Sequence, residues 1–177
     1  TYAVIFVQYF FWIYVMSEGL LYLRKKGMKD NFLLIIAFLT GINAANFLHI
    51  NTIWKDIPYG LSVLWTMILL AKLVLDSNEY KRKWYIYLEL IIAMTGIYFY
   101  RKNGIVTLIV IVFVLLFMLQ KNLKIVATLT VMFAIILVVK GPVYSYFEVE
   151  NPGRSGMYIG LSQDILGVYY AGGEVSK

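Results

Sequence analysis

The sequence predicts an all-α, polytopic integral membrane protein of about six transmembrane helices, a fragment of a larger helical bundle. Three observations carry that expectation. The hydrophobic set AVILMFWYC makes up 61% of the 177 residues and charged residues only 15%, whereas soluble domains average about 45–50% apolar and about 25% charged. A soluble globule this apolar could not cover its own surface with polar groups. The charges sit in short clusters that separate long uncharged runs rich in Leu, Ile, Val and Phe. Those runs show no alternation of polarity, so they are not barrel strands. In lipid, only a helix satisfies such a segment's backbone groups internally. Cysteine is absent, which excludes a disulfide scaffold and a Cys-based metal site.

The spans are expected near 1–23, 31–53, 57–75, 84–100, 103–120 and 122–140. The first is uncharged from Thr1 to Ser17, is closed by Glu18, and continues to Leu23. The second runs from Asn31 towards Trp54. The third follows the Lys55-Asp56 turn and passes Lys72. The fourth runs from Trp84 to Tyr100 and is interrupted by Glu89. This glutamate is expected to reach water or to pair with Lys83 or Lys72. The fifth begins after Arg101-Lys102. The sixth is the shortest, and it gains length if Lys124 and Lys140 snorkel. A crossing needs about 20 residues, or as few as about 17. Thr1 lies inside an apolar run with no start Met, so the expectation is a chain cut at both ends.

The connections are short, so neighbouring helices run antiparallel and the loops alternate sides. One side then collects Arg24, Lys25, Lys26, Lys29, Lys72, Lys81, Arg82, Lys83, Lys121 and Lys124. The other collects Lys55, Arg101, Lys102, Lys140, Arg154 and Lys177. The positive-inside rule assigns the first group to the cytoplasm. Trp84, Tyr85 and Tyr87 at one interface, and Tyr98 and Tyr100 at the other, fit aromatic belts. Composition shifts at Gly141-Pro142, where the helix is expected to break. Residues 1–140 are thus read as the transmembrane bundle and 141–177 as an extracytoplasmic segment. Within it Leu161, Ile165 and Val168 fall at helical spacing, with Gly172-Gly173 as a stop. This pattern predicts a short amphipathic helix on the membrane surface.

Parity brings candidate chemistry to one face. Lys55 and Asp56 lie at a very tight connection between apolar runs, where a charge is costly unless paired or wetted. One reading is structural: Asp56 caps the helix that Pro58 starts, and Lys55 snorkels. The other gives Lys55 to a lipid phosphate and Asp56 to orientation or proton transfer. Arg101 and Asn103 form a second turn on that face, either as interfacial anchors or as a planar fork for phosphate beside a neutral amide. Asn43, Asn46 and His49 stand three residues apart on the approach to Trp54. They are either interhelical glue or, with Trp54, the wall of a wet pocket. His49 is the single His, so a His-based metal site is excluded. No cofactor is implied, and a divalent cation held by carboxylates alone stays open.

The order of these features carries a resemblance. Trp54-Lys55-Asp56-Ile57-Pro58, a span, a basic loop, a second span and Arg101-Lys102-Asn103-Gly104 resemble an uncharacterised bacterial multi-pass family with a W-K-D-x-P turn and an R-x-N-G turn. That family is similar to the C-type glycosyltransferase clan, which includes the protein O-mannosyltransferases. Leu161-Ser162-Gln163-Asp164-Ile165 resembles the family's L-Q-Q-I stretch, with Ser162 departing from it, so only Gln163 carries over. The resemblance implies a transferase in the bacterial plasma membrane. Its partners are membrane lipid and a polyprenyl-phosphate-linked sugar donor, used at the extracytoplasmic face. It implies Lys55 and Arg101 near the phosphate, with Asp56 and Asn103 orienting them, and Gln163 on the pocket wall. The clan's catalytic base is an acidic residue of the first extracytoplasmic loop. No position here matches it, and that loop would precede Thr1. The competing class is a transporter or flippase for a lipid or polyanion, which would use the same cations without chemistry. No feature points to nucleic acid.

Overall fold

In the computed structural model, residues 2–42, 55–101, 103–118 and 122–148 are described. The chain divides into two units, Thr1–Leu137 and Val138–Lys177. All regular elements among the described residues are helical. They are α1 (Tyr2–Lys25), α2 (Asp30–Ile42), α3 (Asp56–Leu75), the short α4 (Ser77–Tyr80), α5 (Trp84–Tyr100), α6 (Gly104–Met118), α7 (Leu123–Val138) and α8 (Tyr144–Tyr146). A π-helical turn, Val139–Val143, precedes α8.

Among the described residues, three helical stretches are long and apolar enough to cross a membrane: Ala3–Lys25, Asp56–Leu75 and Leu123–Tyr146. The apolar helices α2, α5 and α6 are shorter, at 13, 17 and 15 residues. At a rise of about 1.5 Å per residue, α5 approaches a hydrocarbon core of about 30 Å, and α2 and α6 are described only as far as Ile42 and Met118. Many large apolar side chains face outward, among them Phe6, Phe10, Phe38, Phe113 and Phe117. Such exposure suits lipid, which is as apolar as the core itself.

Helix α3 is the centre of the first unit and packs most extensively on α5, then on α1. Leu69, Leu73, Ile86, Leu90, Met94 and Ile97 are fully buried there. A Cβ on Gly96 would lie 2.5 Å from Ser62 Oγ, so this glycine lets α3 and α5 approach closely. The Ser62 and Thr66 hydroxyls donate back to the carbonyls of Pro58 and Ser62 at 2.7 and 2.8 Å. They therefore enter the interface without an unpaired donor.

Helix α1 stops at Gly27, whose φ is +90°. Met28 N–H donates to Leu23 O and Gly27 N–H to Arg24 O, at 3.1 and 3.0 Å. This is the Schellman arrangement, and its left-handed position favours glycine. The break expected at Gly141-Pro142 does not occur: the helix widens into the π turn and continues into α8. Pro142 has no N–H and its ring crowds the carbonyl four residues back. The wider turn accommodates both, with Tyr144 N–H donating to Val139 O. The amphipathic helix expected near 161–168 lies outside the described residues.

The polar turns at the end of α3 form one cluster. Lys26 Nζ reaches Asp76 Oδ1 at 2.7 Å, and Tyr22 OH donates to Asp76 Oδ2 at 2.9 Å. Glu79 pairs with Lys25 and, at 2.9 Å, with Lys83. Lys124 Nζ donates to Lys81 O at 3.2 Å, and Asn122 Nδ2 to Tyr87 OH at 2.9 Å. The buried Tyr80 ring lies under Lys25 and Lys83, each 4.6 Å from its centroid. The Lys26 ammonium, helped by Tyr22, holds the Asp76 carboxyl below its ordinary value. Lys25 and then Lys83 do the same for Glu79.

A folded-state value below the unfolded one makes the stabilisation present above the ordinary carboxylate range, about pH 4, and lost as pH falls through the lowered values. Thermal unfolding in detergent should therefore show stability falling in that acid window, modestly because the groups are exposed. Asp76→Asn with Glu79→Gln should flatten the slope; an identical slope in the double variant would remove these pairs from the acid response.

Candidate functional site at the Asp56–Arg101 corner

The other end of α3 begins at a turn with no room for a long loop. Lys55 is the N-cap in helical geometry (φ −59°, ψ −20°) and makes no side-chain cap hydrogen bond. Asp56 is already the first helical residue, so it does not cap α3 as the sequence suggested. Its carboxylate favours the positive end of the helix dipole and leaves its side chain available to another element. Pro58 sits in the first turn, where a missing N–H costs nothing.

The second turn is built by Arg101 and Gly104. Arg101 is extended (φ −139°, ψ 134°) and ends α5. Its carbonyl accepts from Gly104 N–H at 2.9 Å, and the Asn103 carbonyl accepts from Val106 N–H at 3.1 Å as α6 begins. A Cβ on Gly104 would lie 2.0 Å from Ile97 O, so only glycine lets α6 start this close to the last turns of α5.

These two turns meet. Arg101 Nε lies 3.5 Å from Asp56 Oδ1, with side-chain exposures of 47% and 40%. Asp56 Oδ1 is shielded from solvent yet completes no hydrogen bond. The contact is thus an ion pair held slightly open rather than a closed fork. The guanidinium lies over the Tyr59 ring, 5.5 Å from its centroid. Tyr59 OH shares a 2.7 Å hydrogen bond with Thr107 Oγ1, which ties α3 to α6. Stacking on the ring and attraction to the carboxylate restrain the guanidinium while leaving much of it exposed. Such a group can receive an oxyanion with little ordering cost.

Of the residues singled out from the sequence, the structure joins Asp56 to Arg101, with Lys55 and Asn103 exposed in the same two turns. Asn43, Asn46, His49, Trp54 and Gln163 lie outside the described residues. Tyr59 and Thr107 were missed. Tyr59 is three residues beyond Asp56 and Thr107 three beyond Gly104, the spacing at which helical neighbours share a face, so periodicity could have found both. No group of three or more His, Cys, Asp or Glu able to hold a metal occurs among the described residues.

Two other expected partners are replaced. Glu89 makes no ion pair with Lys83 or Lys72; its Oε1 accepts from Tyr14 OH at 3.1 Å. Lys72 is 6% exposed and pairs with Glu18. The Lys72 ammonium, on α3, is taken by a carboxylate of α1, and Glu89 on α5 is left to the α1 tyrosine. No protein-family model, no curated protein and no solved structure matches the chain.

Proposed function

We propose that the chain is part of a membrane glycosyltransferase that uses a polyprenyl-phosphate-linked sugar, with the Asp56–Arg101 corner as its phosphate-facing element. In this reading α2, α5 and α6 also cross the bilayer, giving six spans. The basic cluster at the end of α3 faces the cytoplasm, and the corner faces outward from a bacterial plasma membrane. The observation that supports it is the 3.5 Å approach of Arg101 to Asp56, from turns distant in sequence, at the end of α3 away from that cluster. Arg101, positioned by Asp56 and Tyr59, and Lys55 would stabilise charge developing on the phosphate leaving group. The base that activates the acceptor hydroxyl is no residue of the described corner, and Asp56 is assigned to orientation.

The test is sugar transfer from a labelled polyprenyl-phosphate donor by the full protein in proteoliposomes. Arg101→Ala should lower transfer by on the order of 10²-fold, the scale of a lost oxyanion donor, with expression intact. Lys55→Ala should lower it less, because its flexible point charge is easier for water to replace. Unchanged transfer in both variants would return these residues to interfacial anchors. Donor binding and movement across the bilayer with no transferred sugar would support the transporter or flippase reading instead.

A further inference from the structure

A second polar site lies inside the bundle, apart from the corner. Glu89 sits in the second turn of α5, where α3 and α1 pack. Its Oε1 accepts from Tyr14 OH at 3.1 Å, whereas its Oε2 is buried and has no hydrogen-bond partner. The Trp65 indole lies close by; this residue is 6% exposed, and its Nε1 also completes no hydrogen bond. The Tyr14 ring packs edge-on against Trp65 with centroids 5.3 Å apart, so one aromatic wall carries two donors beside one carboxyl. The Glu18–Lys72 pair is the next charged group along the same interface.

A carboxyl kept for packing alone would have both oxygens satisfied. Here the Trp65 indole is a donor to Glu89, yet the contact is too open to complete a hydrogen bond at either Trp65 Nε1 or Glu89 Oε2, within an apolar helix interface. Beyond the Glu18–Lys72 pair the polar groups continue to the basic end of the bundle. Lys72 Nζ lies 5.8 Å from the Tyr80 ring centroid, and Tyr80 OH accepts from Lys25 Nζ at 3.2 Å. Lys25 in turn pairs with the exposed Glu79. The charged and titratable groups facing Glu89 are Tyr14 and Glu18 from α1 and Lys72 from α3. Tyr85 stands one turn earlier on its own helix, and α6 brings no ionisable residue.

We infer that Glu89 is a proton-exchanging site within the membrane part of the bundle, with Glu18 as its relay to water at the basic end. In the uptake step a proton passes from Glu18 to Glu89 Oε2 through a bridging water, which takes the Glu18 proton as it gives one of its own to Oε2; Glu18 returns to the carboxylate and Glu89 becomes the neutral acid. Glu18, 28% exposed at its side chain, is then reprotonated from water. Lys72, paired with Glu18 and facing Glu89, offsets whichever carboxylate carries the charge. Tyr14 donates to Oε1 in both states. The arrangement needs water as its only other reactant; it rests on α5 crossing the bilayer, as proposed above, and not on sugar transfer.

The test is labelling of the full protein in lipid nanodiscs with dicyclohexylcarbodiimide, which adds to protonated carboxyls in apolar surroundings, followed by peptide mass spectrometry over a pH series. Glu89 should be labelled, and its labelling should fall as pH rises. Tyr14→Phe should raise labelling on the order of tenfold at the pH of half-labelling, because a donor to the carboxylate is lost. Glu18→Gln should slow the response of Glu89 labelling to a pH jump. Glu89 left unlabelled at every pH, or labelled independently of pH, overturns the site in the unaltered protein, whatever the variants do. A pH-jump response unchanged in Glu18→Gln overturns the relay.

Discussion

Lys72→Met is expected to destabilise the bundle by roughly 3 kcal/mol, the lower part of the range for breaking a buried ion pair from one side. Lys72 is 6% exposed and its partner Glu18 keeps 28% of its side-chain surface, so water softens the penalty. The loss has two parts. Glu18 loses the cation it pairs with, and Glu18 and Glu89 then share one helix interface without the ammonium that faces both. A methionine fills most of the lysine's volume, so packing is nearly held constant. Adding Glu18→Leu should recover most of the stability, because paired removal leaves no stranded charge. Unfolding in a graded detergent titration reads both variants. A single variant as stable as the parent would show that Lys72 reaches water and that the pair contributes little.

Gly104→Ala should have a comparable effect by a steric route. The new Cβ would stand 2.0 Å from Ile97 O and 3.0 Å from Ile97 C. Both are backbone atoms within α5, so no rotamer change relieves the clash. Overpacking of this kind costs about 1–3 kcal/mol and occasionally more. It also disturbs the Arg101 carbonyl that accepts the Gly104 N–H, and so loosens the Asp56–Arg101 contact. Gly60→Ala is the matched control: it lies inside α3 with nothing within 4 Å of its Cβ. There alanine should stabilise by up to about 1 kcal/mol through helix propensity. Equal effects of the two substitutions would mean that the turn relaxes around a methyl group and that its shape does not depend on glycine.

The helices themselves were legible because each is a local feature. An uncharged apolar run between charge clusters forms a helix whatever it packs against, and the expected starts of α3, α5, α6 and α7 lie within a residue or so of those observed. The grouping of turns was legible from parity, since short connections leave few alternatives. The basic turns do meet at the end of α3, and Asp56 does meet Arg101. Helix continuity was misjudged at Gly141-Pro142, where a π turn absorbs the proline. The error has a physical origin: helix-breaking rules describe an α-helix in water, while an apolar setting penalises any opening of the backbone.

By itself the sequence determined the helical class, the order of the apolar segments and which turns share an end, because apolar run length and loop length act along the chain. Only the tertiary structure decided which side chains pair. Glu18 with Lys72, Tyr14 with Glu89, and Tyr59 beneath Arg101 depend on the rotation of each helix about its axis. In a chain apolar on every face, that rotation leaves almost no trace in the hydrophobic pattern. It is set instead by small residues such as Gly96 and Gly104, which fix where two backbones approach, and by the cost of stranding a buried charge.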